Sequence, residues 1–540
     1  MVANGFALLL TISVLPAMGG SEGAASEKPV AQMFVTSDRC LACHNGLVTP
    51  SGQDVSIGAN WQSSMMAHAS RDPYWQAAVR RETLDHPTAS EAIQHECAAC
   101  HMPMARYHAK VNGRKEPVFA HLPITANPLG ADLLAADAVS CTMCHQIQPD
   151  KLGTKASFTA GFVVDTQTPL DERVVFGPYD VDGGRTRVMR SSAMVVPTKS
   201  THIQGSELCA SCHTLFTHAF GPNGEVVGEL PEQVPYLEWK HSAYAEGRSC
   251  QSCHMPQLDD EMHITAVLGQ PREGFSRHSF RGGNFFMPQI FKRYRQELGV
   301  KAPSESLDMT VEQTRANLTD SAASVEIGQA AIEASRLEVE VNIANLAGHK
   351  LPTAYPSRRA WIQLTVKDKD GQVVFESGSL KPDGSISGND NDADRTTFEP
   401  HYTEIARPDQ VQIYEAIMAD SQDKVTTGLL SAVRYVKDNR IPPIGFDKST
   451  ADKDIAVHGK AYADEDFAGG RDNIRYSIPV NPRQGPFTVE AKLWYQPIGF
   501  RWAQNLKLQQ AAEIDRFVSY YDAMSEKSGI VIAENTKTVR

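Results

Sequence analysis

Apolar positions change their spacing twice along this chain. Up to about residue 285 no long periodic run appears, and the pattern predicts short helices and long loops with little strand. Gly153 to Gly184 is dense in Gly, Pro and Asp turn signals. Helical spacing then takes over: Ile290, Phe291, Tyr294 and Leu298 share one face, Gly299 is a natural stop, and a second helix is expected over Leu307 to Leu318. After about Ser321 the period falls to two. Leu337 to Ile343 and Ile362 to Val366 alternate strictly, and Asp370-Gly371 makes a hairpin turn before Val373 to Phe375. Further strands are expected at Val411 to Met418, Arg475 to Val480 and Phe487 to Tyr495. Ile514, Phe517, Val518 and Tyr521 then fall at i, i+3, i+4 and i+7, which predicts a closing amphipathic helix. The expected class is α + β and multidomain: a mostly helical or irregular first half, then an antiparallel β-sandwich with a terminal helix. The divisions fall at 1–25, 26–285, 286–320 (helical connector), 321–505 (sandwich) and 506–540 (helix and tail).

The first half carries the chemistry. Five times two cysteines three apart are followed directly by histidine: Cys40, Cys43 and His44; Cys97, Cys100 and His101; Cys141, Cys144 and His145; Cys209, Cys212 and His213; Cys250, Cys253 and His254. That spacing attaches a c-type haem: two thiols add to the porphyrin and the histidine binds iron from one side. All ten cysteines are used. With 18 histidines in 540 residues, five chance followers have a probability on the order of 10⁻⁸. Zinc ribbons also pair cysteines but need no histidine after the second one. Residues 26–285 are therefore expected to hold five covalent haems, with 215 residues from Cys40 to His254. That is 43 per haem, too few to wrap each separately, so the porphyrins must supply much of the core.

The net charge of −12 disfavours nucleic acid and anionic lipid as partners. Phe6 to Leu15 is apolar and small residues follow to Ala25, so residues 1–25 read as an export signal, although no Lys or Arg precedes Lys28. Location in the periplasm or at the outer surface is expected. No later stretch offers about 20 uninterrupted apolar residues.

Thirteen histidines remain for the opposite faces of the irons. His202 lies seven residues before Cys209, and His241 nine before Cys250. His278 precedes Gly282-Gly283, where the backbone can press on a flat cofactor; His121 precedes Leu122-Pro123; His349 follows a predicted strand. These five are the expected distal ligands. Trp61-Gln-Ser-Ser64-Met-Met66-Ala67 and Trp239-Lys-His-Ser242-Ala-Tyr244-Ala245 form a weak repeat. Met66 either ligates or packs, and His68 and His241 stand close by.

Together the haem signatures, the Trp-x-x-Ser frames, Cys250 to Pro256 and His278 to Asn284 resemble the multihaem cytochrome c superfamily, which includes hydroxylamine-pathway electron carriers and octahaem reductases. Asn345 to Thr353 and Arg358 to Trp361 resemble the β-domain attached to some of these modules. The resemblance implies covalent haem, export and electron transfer between redox proteins, and fixes no substrate. Many of its members carry an iron-binding histidine where Met66 and Tyr244 stand here, and five haems rather than four or eight is a second departure.

Asp390-Asn-Asp392-Ala-Asp394 alternates carboxylates as calcium loops do, but lacks the glycine at position six and the glutamate at twelve. A solvated acidic loop is expected there, with bound calcium as the other reading. His401 and His458 read as structural or solvated. Two function classes follow: an electron carrier with mostly bis-histidine haems, and an oxidoreductase acting on a small nitrogen or sulfur compound at one five-coordinate haem.

Overall fold

The computed structural model describes Met1, residues 32–130 and residues 132–540; the expected export signal lies outside the described residues, apart from Met1. The first half is built of short helices, 3₁₀ turns and two-stranded ribbons. Its longest helices include α1 (Pro73–Asp85), α2 (Ser90–His101) and α3 (Pro103–Val111). Asp72 caps α1 by accepting from the amides of Tyr74 and Trp75, and Pro73 occupies the first turn, where no amide is needed.

The connector comprises α4 (Phe286–Arg293) and α5 (Ser304–Ser321). The first ends at Arg293, short of the predicted Leu298, because Tyr294 to Gly299 tighten into turns. Gly299 itself has φ +60°, and a Cβ there would lie 2.7 Å from the carbonyl oxygen of Ile124. The glycine is needed for this close approach as well as for its dihedral.

In the second half one sheet runs in the order β4 (Val373–Ser377), β3 (Arg359–Lys367), β8 (Phe487–Gln496) and β9 (Ile530–Val539), and the short β6 (Ile413–Tyr414) also pairs with β3. A second sheet is ordered β5 (Glu404–Ile405), β7 (Arg471–Pro479), β2 (Arg336–Asn345) and β1 (Ala323–Glu333). Ala416–Asp420, Val425–Thr426 and Ala432–Asp438 form a third, smaller sheet, so the predicted strand at 411–418 is broken into two. Alternation in β2 buries Leu337, Val339, Val341 and Ile343, while β3 and β8 bury Leu364, Val366, Val489 and Leu493. These residues belong to one apolar core, which also takes in Tyr74 and Ala77 of α1 and Phe285 to Phe291. The amphipathic helix α6 (Ala512–Asp522) packs on α1, with Arg80 bound to Glu513 at 2.9 Å. The expected separate tail is instead β9, paired along β8 from Phe487/Val539 to Tyr495/Ile530.

Across the halves, Glu82 of α1 accepts from the amides of Leu429 (2.9 Å) and Leu430 (3.3 Å).

Candidate haem-binding site

A turn of helix explains the signature. Residues i, i+3 and i+4 share one face of a helix, so both thiols and the imidazole project together. Cys97, Cys100 and His101 close α2, and Cys141–His145 and Cys250–His254 are each a single short helix. The first motif departs from that form, because its helix, Asp38–Leu41, stops before Cys43. Cys43 sits in the turn that follows, and two bonds to the Cys40 carbonyl, from the amides of Cys43 (3.1 Å) and His44 (3.0 Å), keep the helical spacing. The fourth motif repeats this: its helix, Ser206–Ala210, ends before Cys212, and the His213 amide still reaches Cys209 at 2.8 Å. All ten cysteines are unbridged, and all are half-buried except the exposed Cys253.

The five motifs converge. The Cys40 thiol lies beside that of Cys141, and the Cys209 thiol beside that of Cys250. Cys212 lies close enough to interact electrostatically with both Cys100 and Cys144. The thiols thus link the sites in the order first, third, fourth and fifth, with the second joined to the fourth. In the first motif that link runs through Cys40. Cys43 is tied elsewhere, by its carbonyl, which accepts from the Ala266 amide (2.8 Å) and the Thr265 hydroxyl (3.1 Å). Those bonds lash the first motif to the loop after the fifth, the same loop whose Ile264 meets His44.

Most of the proximal imidazoles are held by a backbone carbonyl at Nδ1: His44 by Ile264 (2.6 Å), His101 by Ala69 (2.9 Å), His145 by Phe176 (2.6 Å) and His254 by Arg281. This fixes the hydrogen at Nδ1 and leaves the Nε2 lone pair free for a metal. Burial pushes His101 and His254 down to about 4, keeping them neutral. Trp75 stacks flat on His101, with centroids 4.3 Å apart and planes 4° from parallel.

Two of the expected distal histidines face proximal ones. His278 stands opposite His145 with ring centroids 6.4 Å apart and planes 14° from parallel. His349 stands opposite His254 at 6.2 Å and 15°. Their Nδ1 atoms meet the carbonyls of Ser276 and Lys350, each at 3.0 Å. Two metal–nitrogen bonds of about 2 Å, plus ~1.2 Å from each nitrogen to its ring centre, sum to about 6.4 Å. Both gaps fit one iron between two imidazoles.

The other three expected distal histidines have different partners in the structure. His121 is clamped between carboxylates, with Nδ1 2.7 Å from Asp132 and Nε2 on Glu116. Burial opposes its charge, but the two acids outweigh burial and raise its pKa. His202 spends both nitrogens, on Ser200 Oγ (2.6 Å) and the Ile147 carbonyl (2.8 Å). His241 turns toward the second half, its Nε2 3.1 Å from the Asp447 carbonyl and its ring edge-on to Phe446. None of these three is brought opposite a proximal imidazole. His68 is the histidine that sequence spacing underrated. It is 3% exposed, neither ring nitrogen has a well-formed hydrogen bond, and burial followed by the Arg71 charge drives it down to about 3. A buried imidazole with two orphan nitrogens is costly unless it meets a ligand.

The repeated frames are anchored by their tryptophans. Trp61 and Trp239 donate to the carbonyls of Val139 and Arg248, both at 2.9 Å. The Tyr244 hydroxyl donates to the Leu346 carbonyl at 2.9 Å, and Gly348 packs where a Cβ would lie 3.4 Å from Trp239. The second frame therefore steers the loop that carries His349. Gly283 serves Tyr495, whose hydroxyl would lie 2.5 Å from an added Cβ.

A buried charge network holds the same loop. Asp438 binds Lys350 Nζ (2.7 Å) and Arg440 Nη2 (2.7 Å), and Arg440 Nη1 lies 3.3 Å from Glu238. Glu238 also accepts from the Lys350 amide (3.1 Å) and the Thr353 hydroxyl (2.5 Å).

The acidic stretch is no cation loop. Asp392 is spent on Arg359 at 2.8 and 3.0 Å, and Asp394 accepts from its neighbour Thr396. His401, Asp464 and Asp472 cluster like metal ligands. However, Gln412 (2.8 Å) and Asn439 (3.1 Å) donate to His401 Nδ1, which places the ring hydrogen on Nε2, facing Asp464 at 3.0 Å. That tautomer makes an internal hydrogen-bonded pair and leaves no imidazole lone pair for a metal.

No family model matches the chain, and no curated protein matches it. Among solved structures it is similar to a penta-haem cytochrome c552 from Thermochromatium tepidum, with a TM-score of 0.52 and 16% identity over 95% of this chain and 100% of that one. At that identity the likeness is one of fold. Among the described residues no helix is long and apolar enough to cross a membrane.

Proposed function

We propose that the chain is an exported pentahaem c-type cytochrome that passes single electrons between redox proteins in the periplasm or at the outer surface. The observation that carries this reading is the pair of near-parallel imidazole couples, His145/His278 and His254/His349, each spaced for one iron. Haem iron with two histidines cycles between ferric and ferrous states without an open position for substrate. The protein's part is to anchor, orient and desolvate: cysteines fix the porphyrin edges, backbone carbonyls fix the imidazole tautomers, and convergence of the motifs keeps neighbouring centres close. Exposed Cys253 makes the fifth site the natural place to exchange electrons with a partner. The second half caps that site with His349.

Another observation supports a second reading, a multihaem oxidoreductase for a small nitrogen or sulfur compound. Among the described residues no imidazole stands opposite His44, His101 or His213 at that spacing, although His68 is free to serve one site. Mass spectrometry should find five porphyrins added to the chain, and ferric spectra should be low-spin and insensitive to nitrite, hydroxylamine, sulfite and cyanide. A high-spin fraction near one-fifth that responds to these compounds would overturn the carrier reading. Absence of porphyrin would overturn both. His349→Ala and His278→Ala should each convert one-fifth of the haem to high spin; an unchanged spectrum removes that residue from the ligand set.

A further inference from the structure

Arg277 and Arg281 flank His278, and among the described residues neither makes a side-chain hydrogen bond or ion pair. Arg277 Nε and Nη2 and Arg281 Nε are buried and have no partner. The hydroxyl oxygen of Ser279 between them is likewise buried and unpartnered. The segment is fixed rather than loose: the Arg277 amide donates to Pro256 (3.0 Å) and the Arg281 amide to His254 (3.1 Å). It therefore lies between the third site, through His278, and the fifth, through His254.

The polypeptide supplies little compensating charge. The two guanidinium groups repel each other, and only Asp54 offsets Arg277. Arg281 has only the Cys253 thiol nearby, which becomes a neutral thioether once a haem is attached. Two neighbouring half-buried cations whose buried nitrogens lack partners are costly unless an anion meets them. The guanidinium fork is suited to a carboxylate.

We infer that Arg277 and Arg281, with Ser279, form a carboxylate-receiving site for haem propionates at the junction of the third and fifth haems, and that their charge raises the reduction potential there. This rests on the pentahaem reading. A cation beside the haem disfavours the ferric state, which carries one more positive charge than the ferrous state, so removing it must lower the midpoint.

The test is spectroelectrochemical titration of the holoprotein with Arg277→Gln, Arg281→Gln and the two Lys variants, with porphyrin mass and spin state measured alongside. The Gln variants should keep five haems and low-spin spectra while at least one midpoint falls by a tenfold change in equilibrium constant, ~59 mV for one electron. The Lys variants should recover part of that fall. Five haems with all midpoints unchanged in both Gln variants would overturn the inference and leave the pentahaem reading intact. Should a Gln variant not mature, the Lys variant at that position decides. A midpoint lowered with spin state preserved supports the site; an unchanged midpoint, or a shift that appears only with loss of the low-spin signal, refutes it. Absence of porphyrin from the unmodified protein would instead be failure of the pentahaem reading.

Discussion

Replacing Asp438 by Asn keeps the shape of the buried network and removes one of its two negative charges. The side chains of Lys350, Asp438, Arg440 and Glu238 are between 0% and 5% exposed, so water cannot make good the loss. At 2.7 Å and an effective dielectric constant of 20, each contact of Asp438 is worth about 6 kcal/mol before desolvation. Desolvation offsets most of this, and orphaning one partner of a buried pair costs about 3–5 kcal/mol. Arg440 retains Glu238, whereas Lys350 retains only the Ala456 carbonyl at 3.1 Å, so the cost falls mainly on Lys350. A loss of about 3–5 kcal/mol is therefore expected in guanidinium unfolding followed by far-UV circular dichroism. Arg440 and Lys350 outweigh burial and hold Asp438 well below the usual carboxylate range. Its contribution is thus complete above the unfolded carboxylate value near 4 and is lost only as pH falls through the depressed folded value. The variant should accordingly be weaker than the unmodified protein throughout pH 5 to 8. Because Lys350 adjoins His349, a partial high-spin signal should accompany the loss. A destabilisation under about 1 kcal/mol, with an unchanged spectrum, would refute the reasoning.

Three further outcomes are expected. Burial raises Asp472 from 3.8 to about 7, so the native state holds a proton there and its contribution is lost as pH rises from about 4 through 7; Asp472→Asn should flatten the fall in unfolding free energy between pH 5 and 8, by at most about 3 kcal/mol, and an identical slope would contradict this. Gly299→Ala forces a Cβ to within 2.7 Å of the Ile124 carbonyl at φ +60° and should cost at least ~2 kcal/mol by thermal or denaturant unfolding. His68→Leu should add a high-spin signal of one-fifth if the imidazole binds iron; a merely packed His68 would leave the ferric spectrum unchanged.

Legibility differed by residue. The cysteine signatures and the alternating strands announce themselves because each is encoded within a few consecutive positions: β2 was legible in Leu337 to Ile343, and α6 in Ile514 to Tyr521. β9 was not, since Ile530–Val539 alternates weakly and owes its place to pairing with β8. On the proposed reading, distal ligands are set by long-range packing. His349 meets His254 across 95 positions, whereas His202, close to Cys209 in sequence, is consumed by Ile147 and Ser200. Nearness along the chain was therefore a poor guide to the sixth ligand. Likewise Gly283 answers to Tyr495, more than two hundred positions away, and Cys43 to Thr265 and Ala266.

Because α1, the connector and both large sheets contribute to one apolar core, the two halves are not beads on a string. Glu82, grasping the amides of Leu429 and Leu430, adds a further rivet. On the proposed reading, the described residues offer no tethered arm to swing a redox centre toward a customer. If the chain is such a carrier, traffic arrives by collision at a fixed doorway, and its speed is governed by how well visitors orient on that stationary surface.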